Sequence, residues 1–161
     1  MGFLTMLRVV AIGCAGLLAG IYVGDRAGAY YARAELTDSS VLQFQQVVHV
    51  HYVRFMPPLV IGALLTGLGW LFMVRSQWRS PQFWLVAVSA CGILLIAVLT
   101  RSVNVPLNNA LMTWSIAAPP ADFRKLWAPW ETVNTIRAFV ATGVLLLEAV
   151  ALSLAASNGR V

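Results

Sequence analysis

Four apolar stretches alternate with polar connections of unequal length along the chain. They cover residues 3–23, 59–74, 82–100 and 132–156, and none shows the strict apolar–polar alternation of a barrel strand. A bilayer's hydrocarbon layer takes about 20 apolar residues in helical form. Within it, every backbone polar group must be satisfied internally. Four transmembrane helices are therefore predicted. The second is longer than its apolar part, because Thr37-Asp38-Ser39-Ser40 has the residue types of a helix start. From there a helix runs through residues 41–54 into the second apolar stretch, with Pro57-Pro58 expected to kink or restart it. The predicted helices are thus about 3–23, 40–74 (kinked at 57–58), 82–100 and 132–156, in a single transmembrane domain spanning residues 1–161.

The connection at 75–81 is short, so the second and third helices form an antiparallel hairpin. The connection at 101–130 is the longest. Ala118-Pro119-Pro120 breaks it, and a short helix carrying Arg124, Lys125 and Trp127 is expected to begin at Ala121-Asp122. With four antiparallel spans, both long loops fall on one membrane side. The expected fold class is an all-α integral membrane four-helix bundle with a polar cap formed by those loops.

The first apolar stretch could be taken for a signal peptide, with Arg8 before it and small residues at 27–29 as a cleavage site. Its apolar run is long for that, and three further spans follow, so a retained helix is expected. Gly16, Gly20 and Gly24 recur every four residues and share one face, on which another helix could approach closely. A ligand lying on that face is the functional alternative.

Composition agrees with a membrane protein: 60% of the 161 residues are hydrophobic and 11% are charged, against roughly 25% charged in soluble domains. The formal charge of +5 comes mostly from scattered arginines, with no basic stripe of the kind nucleic acid needs. Cys14 and Cys91 lie in apolar segments without a CxxC spacing and read as packing residues. The side carrying the termini holds Arg8, Arg75, Arg79 and Arg160. The long-loop side, leaving out the site candidates Arg54, Arg101 and Arg137, holds Arg26, Arg33, Arg124 and Lys125. Four against four leaves the orientation open under the positive-inside rule. A multi-pass protein of a bacterial inner membrane is expected.

Three polar stretches border the hydrocarbon on the long-loop side. The first contains His49, His51, Tyr52 and Arg54. Residues two apart on a helix point about 200° away from each other, so one helix cannot easily aim both histidines at one ion. They can be solvated, satisfied within the bundle, a general base or, least readily, metal ligands. The second contains Arg101, Asn104, Asn108 and Asn109, the first three at i, i+3 and i+7, with Pro106 expected to distort the helix. Amides beside hydrocarbon need hydrogen-bond partners; they can join helices or line a pocket for a carbonyl or phenol oxygen. The third places Trp130, Asn134 and Arg137 at i, i+4 and i+7, with Trp127 and Glu131 on the adjacent face. An arginine inside a span commonly faces a cavity or a partner. Glu148 lies deeper on the same face, and an ion pair with Arg8 is expected there as a structural element.

Asn104-Val-Pro106-Leu-Asn108-Asn109, followed by Trp127-x-x-Trp130-x-x-x-Asn134-x-x-Arg137, resembles the anthrone oxygenase family of small four-helix membrane proteins. Tyr52-Val-Arg54-Phe-Met56-Pro57-Pro58 upstream fits the same pattern. The resemblance implies oxidation of an anthrone-type substrate by molecular oxygen without a bound cofactor. It also implies a site lined by Asn104, Asn108, Trp130, Asn134 and Arg137, with His49 or His51 as base. Tyr52, Arg54, Arg101, Asn109 and Trp127 are candidate substrate contacts beside them. Membrane lipid and a hydrophobic small molecule are the expected partners, and nucleic acid is not. Two other functions remain open: a non-catalytic protein binding a lipid or hydrophobic metabolite or serving in a complex, and a metal- or haem-bearing redox protein using His49 and His51.

Overall fold

The computed structural model describes residues 2–158, with the side chains of residues 157 and 158 left aside; Arg160, counted above for topology, lies outside the described residues. Its helices are α1 (Phe3–Gly24), α2 (Tyr30–Glu35), α3 (Asp38–Met73), α4 (Pro81–Leu99), α5 (Val105–Leu111) and α6 (Phe123–Asn158). A π-helical turn at Asp25–Ala29 joins α1 to α2, and another at Thr100–Asn104 joins α4 to α5. Four continuous helical rods result, each long and apolar enough to cross a membrane. α6 packs against α1 and α4, and α3 against the same two helices, so the spans close a ring in the order α1, α3, α4, α6.

The local signals explain most boundaries. Thr37 Oγ1 accepts the Ser40 amide at 3.3 Å and starts α3. Ser80 does the same for Phe83 at 3.2 Å, with Pro81 in the first turn of α4. The long connections differ from expectation. Residues 25–35 are helical, and α6 begins at Phe123, so there is no separate short helix before the fourth span. The cap is therefore built mainly from helix ends, with the segment 112–122 as its one long loop. α3 also continues through Pro57 and Pro58 without a restart. The carbonyls that lose their helical donors there belong to Val53 and Arg54, both exposed residues. In α6, Pro129 deprives the carbonyl of exposed Lys125 in the same way.

The glycine face of α1 does not form a close helix contact. A Cβ at Gly20 or Gly24 would meet nothing within 4 Å, and one at Gly16 only Leu145 at 3.8 Å. The buried stripe of α1 is Ala11, Ala15, Leu18, Ala19 and Tyr22, in which alanine already allows close approach. The tight crossing lies between α4 and α6, where a Cβ on Gly92 would stand 2.7 Å from Val144 Cγ2. Gly92→Ala is expected to destabilise the fold by about 1–3 kcal/mol through overpacking. Gly20→Ala should be neutral or stabilising, given alanine's helix propensity. Thermal unfolding of the purified protein in detergent checks both, and equal losses would contradict this packing.

The expected Arg8–Glu148 ion pair does not form. Glu148 is fully buried and its Oε1 accepts from Ser89 Oγ at 2.8 Å. The Arg8 guanidinium instead lies over the Trp70 ring, 5.6 Å from its centroid. Ala11, one turn further in than Arg8, already packs beside Ala151, and Cβ space at Gly67 borders Glu148. Arg8 lies three residues outward of Ala11 and Glu148 three residues inward of Ala151, so Arg8 sits nearly two turns, ~9 Å, nearer the membrane edge than the carboxylate.

Candidate functional site

The two π turns lie at the same end of the bundle. Each adds one residue to a helical turn and re-aims the side chains around it, as π segments often do at functional sites. In the second, Pro106 has no N–H for the Ser102 carbonyl, and the wider turn before it absorbs the missing bond. Arg101, Asn104 and Asn108 consequently face one cavity.

In the first π turn Asp25 turns inward and meets Arg33 from α2. Arg33 Nη1 and Nη2 donate to the two Asp25 oxygens at 2.7 and 3.1 Å, and Nε donates to Glu131 Oε1 at 3.2 Å. Only 1% of Arg33 is exposed. A bidentate pair of this kind is among the strongest side-chain contacts. Asn134 Nδ2 also donates to Asp25 Oδ2. Arg124 anchors the start of α6 to the α2–α3 connection, donating to the Arg33 and Leu36 carbonyls at 2.9 and 2.6 Å and to Asp38.

Arg137 stands next along this chain of bonds. Its Nη1 donates to Thr100 Oγ1 at 3.0 Å and its Nη2 to Asn134 Oδ1 at 2.6 Å. Two donors, Trp130 Nε1 and Arg137 Nη2, face the Asn104 amide, so its oxygen belongs on that side, at 3.1 and 3.2 Å. Trp130 Nε1 also reaches Asn108 Oδ1 at 2.9 Å. The Tyr22 ring lies 4.7 Å from the Arg137 guanidinium. Among the described residues, every hydrogen-bond acceptor of Arg137 is neutral, and the Asn134 amide separates it from Asp25. Its charge is buried at 5% exposure and left uncompensated by a direct carboxylate.

The cavity in front of Arg137 measures about 470 Å³, within the usual range for small-molecule sites. Its walls are mainly apolar, with Val53, Met56 and Val60 from α3 facing Ala97 and Val105 from α4 and α5. The polar groups converge at its inner side.

Of the candidates read from sequence, His49, Tyr52, Arg101, Asn104, Asn108, Trp130, Asn134 and Arg137 line this cavity. His51, Arg54 and Asn109 do not; they are exposed. Trp127 is buried behind the wall and stacks on Trp130 with ring centroids 4.8 Å apart. The two histidines diverge as helical geometry requires, so they do not form a paired metal site. Among the described residues, no group of three His, Cys, Asp or Glu side chains gathers as ligands. Tyr22, Asp25, Thr100 and Arg33 were not foreseen. The first three line the cavity, and Arg33 holds Asp25.

The sequence model of the anthrone oxygenase family matches residues 44–147, well over half of the chain. The chain belongs to the anthrone oxygenase family. The match runs from the first polar stretch of α3 to the deep part of α6 and so includes the cavity residues of α3, α4, α5 and α6. Tyr22 and Asp25 lie upstream of it, on the helix that completes the cavity. No curated protein and no solved structure matches the chain. As a member of this family the protein is a bundle of four helices, each long and apolar enough to cross a membrane.

Proposed function

We propose that the protein oxidises a polycyclic phenolic or anthrone-type substrate to a quinone with molecular oxygen, without a bound cofactor. The observation that carries this is the buried Arg137 guanidinium, held only by neutral partners, at the inner side of an apolar cavity that also receives His49. A substrate oxygen placed there meets a preorganised cation in a water-poor site, where such stabilisation is strongest. His49 makes no side-chain hydrogen bond among the described residues and is free to accept a proton. Asp25 is a poorer base, since Arg33 and Asn134 already occupy both of its oxygens.

His49 removes a proton from the methylene carbon opposite the ketone, and the electron pair passes into the ring system as an enolate whose oxygen lies against Arg137. The enolate adds oxygen at that carbon, and protonation gives a hydroperoxide. Loss of the second hydrogen on that carbon with cleavage of the O–O bond gives the new carbonyl and water. One oxygen atom enters the quinone and the other leaves as water, so the substrate is the only reductant needed. The proposed setting is a bacterial inner membrane.

Oxygen uptake by the full chain in phospholipid vesicles, with anthrone added, tests the proposal. One quinone is expected per oxygen consumed, at a rate far above protein-free vesicles. A rate equal to that of protein-free vesicles would sink it.

A further inference from the structure

The cavity has a back, a roof and a floor, but one side is open. Its back is formed by the buried residues Tyr22, Asn134 and Arg137. Toward the cap it is roofed by the cluster of Val41, Leu42, Leu111, Phe123 and Trp127. Gln46 Nε2 fastens that roof, donating to the carbonyls of Leu111 and Trp114 at 2.9 and 3.0 Å. Toward the middle of the membrane it is floored by the core of Leu59, Ala63, Ile93 and Ile96. Between Gln45 and Leu59, α3 contains no buried residue. Beyond Gln46, from His49 to Pro57, this part of α3 forms the outer wall of the cavity and faces Ala97, Arg101 and Val105 across it. The opening therefore faces sideways, between α3 and α4–α5, where the lining residues Tyr52, Val53 and Ile61 are 45%, 53% and 56% exposed.

The depth of this opening decides what it opens to. Trp78 and Trp84 are exposed at the opposite end and mark one interface. Arg101 lies seventeen residues beyond Trp84 on the same rod, about 26 Å at the helical rise. The hydrocarbon layer is about 30 Å thick. Ala97 and Ile61, which line the opening with Arg101, fall within it, and Arg101 can extend its charge to the headgroups. The exposed side chains Val50 on α3 and Leu94 and Val98 on α4 are apolar as well.

We propose that the substrate is a flat, neutral molecule dissolved in the bilayer, and that it reaches Arg137 sideways from the acyl chains through the gap between α3 and α4–α5. This rests on the assignment of the cavity as the substrate site and adds its route and its physical class. The ring system passes Val53 and Ile61 edgewise, oxygen end first, while Gln46 keeps the water-facing end shut. Water-soluble, charged relatives of the substrate are excluded because the route passes between apolar side chains at hydrocarbon depth.

The test uses the full chain in phosphatidylcholine vesicles and 9,10-anthraquinone as probe, with binding followed by stopped-flow quenching of tryptophan fluorescence. In Val53→Phe/Ile61→Phe, association and dissociation should both slow about tenfold with little change in half-saturation. In Val53→Ala both should accelerate, which keeps the test valid where the bulky variant does not fold. Gln46→Ala should leave the rates unchanged. Unaltered rates in the Val53 and Ile61 variants, or faster binding in Gln46→Ala, would overturn the route. Probe binding along this route without oxygen uptake would remove the oxidation and leave the route standing. A chain that does not bind the probe overturns both.

Discussion

Arg33→Ala is expected to lower the stability of the fold by about 3 kcal/mol, toward the lower end of the range for breaking a buried ion pair. Arg33 is the hinge of the polar network: three of its nitrogens hold Asp25 and Glu131, and its guanidinium lies 5.7 Å from the Trp130 ring centroid. Removing it leaves two carboxylates facing each other's field without a cation. Their side chains are 21% and 25% exposed, which softens the penalty relative to fully buried charges. Arg33→Lys should recover part of the loss but not all, since an ammonium cannot reproduce the fork that spans both Asp25 oxygens. The combination Arg33→Met, Asp25→Asn, Glu131→Gln should be closer to wild type than Arg33→Ala, because no uncompensated charge remains. Thermal unfolding in detergent measures all three. A triple variant as unstable as Arg33→Ala would mean that the loss reflects packing and not charge.

That network is also the part of the site least legible in the sequence. The four spans, the start of α3 at Thr37 and the gathering of three polar stretches at one end follow from apolar length, capping residues and antiparallel connection. Arg33 and Asp25 lie in a stretch whose mixed polarity looks like a loop. Nothing in composition announces a π turn, and without it the register that brings them together is not predictable. A periodic reading continued past Gly24, with Tyr22 and Asp25 one turn apart, is the signal that could have exposed them. For His49 and His51 the helical period correctly separates the two directions, but it cannot say which one faces inward. That depends on how α3 rotates against α1 and α4, a tertiary fact. The glycines of α1 and the Arg8–Glu148 pair failed for a related reason. Spacing identifies a face and a rough depth, whereas contact requires a partner at the same height, and small alanines served where glycine was expected.

His49→Ala should reduce quinone formation by about 10²–10⁴-fold, the usual contribution of a positioned general base, while His51→Ala stays within about twofold of wild type, the ordinary outcome for an exposed side chain away from the site. The contrast is informative because both residues share a helix, a residue type and nearly the same sequence position, so unspecific damage to α3 would affect them alike. Added imidazole should restore part of the rate in His49→Ala by occupying the vacated space beside Tyr52 and Val53; a purely structural role for the ring would not respond. Arg137→Ala should lose about 10²–10³-fold, as expected when a donor to a developing oxyanion is removed, and imidazole should not rescue it. The two losses need not add, since proton removal and enolate stabilisation occur in one transition state and each depends on the other's geometry. Equal activity of His49→Ala and wild type would remove the base assignment. In that case the deuterated substrate should show the same isotope effect in both proteins, because the C–H bond would break by the same route with or without the imidazole.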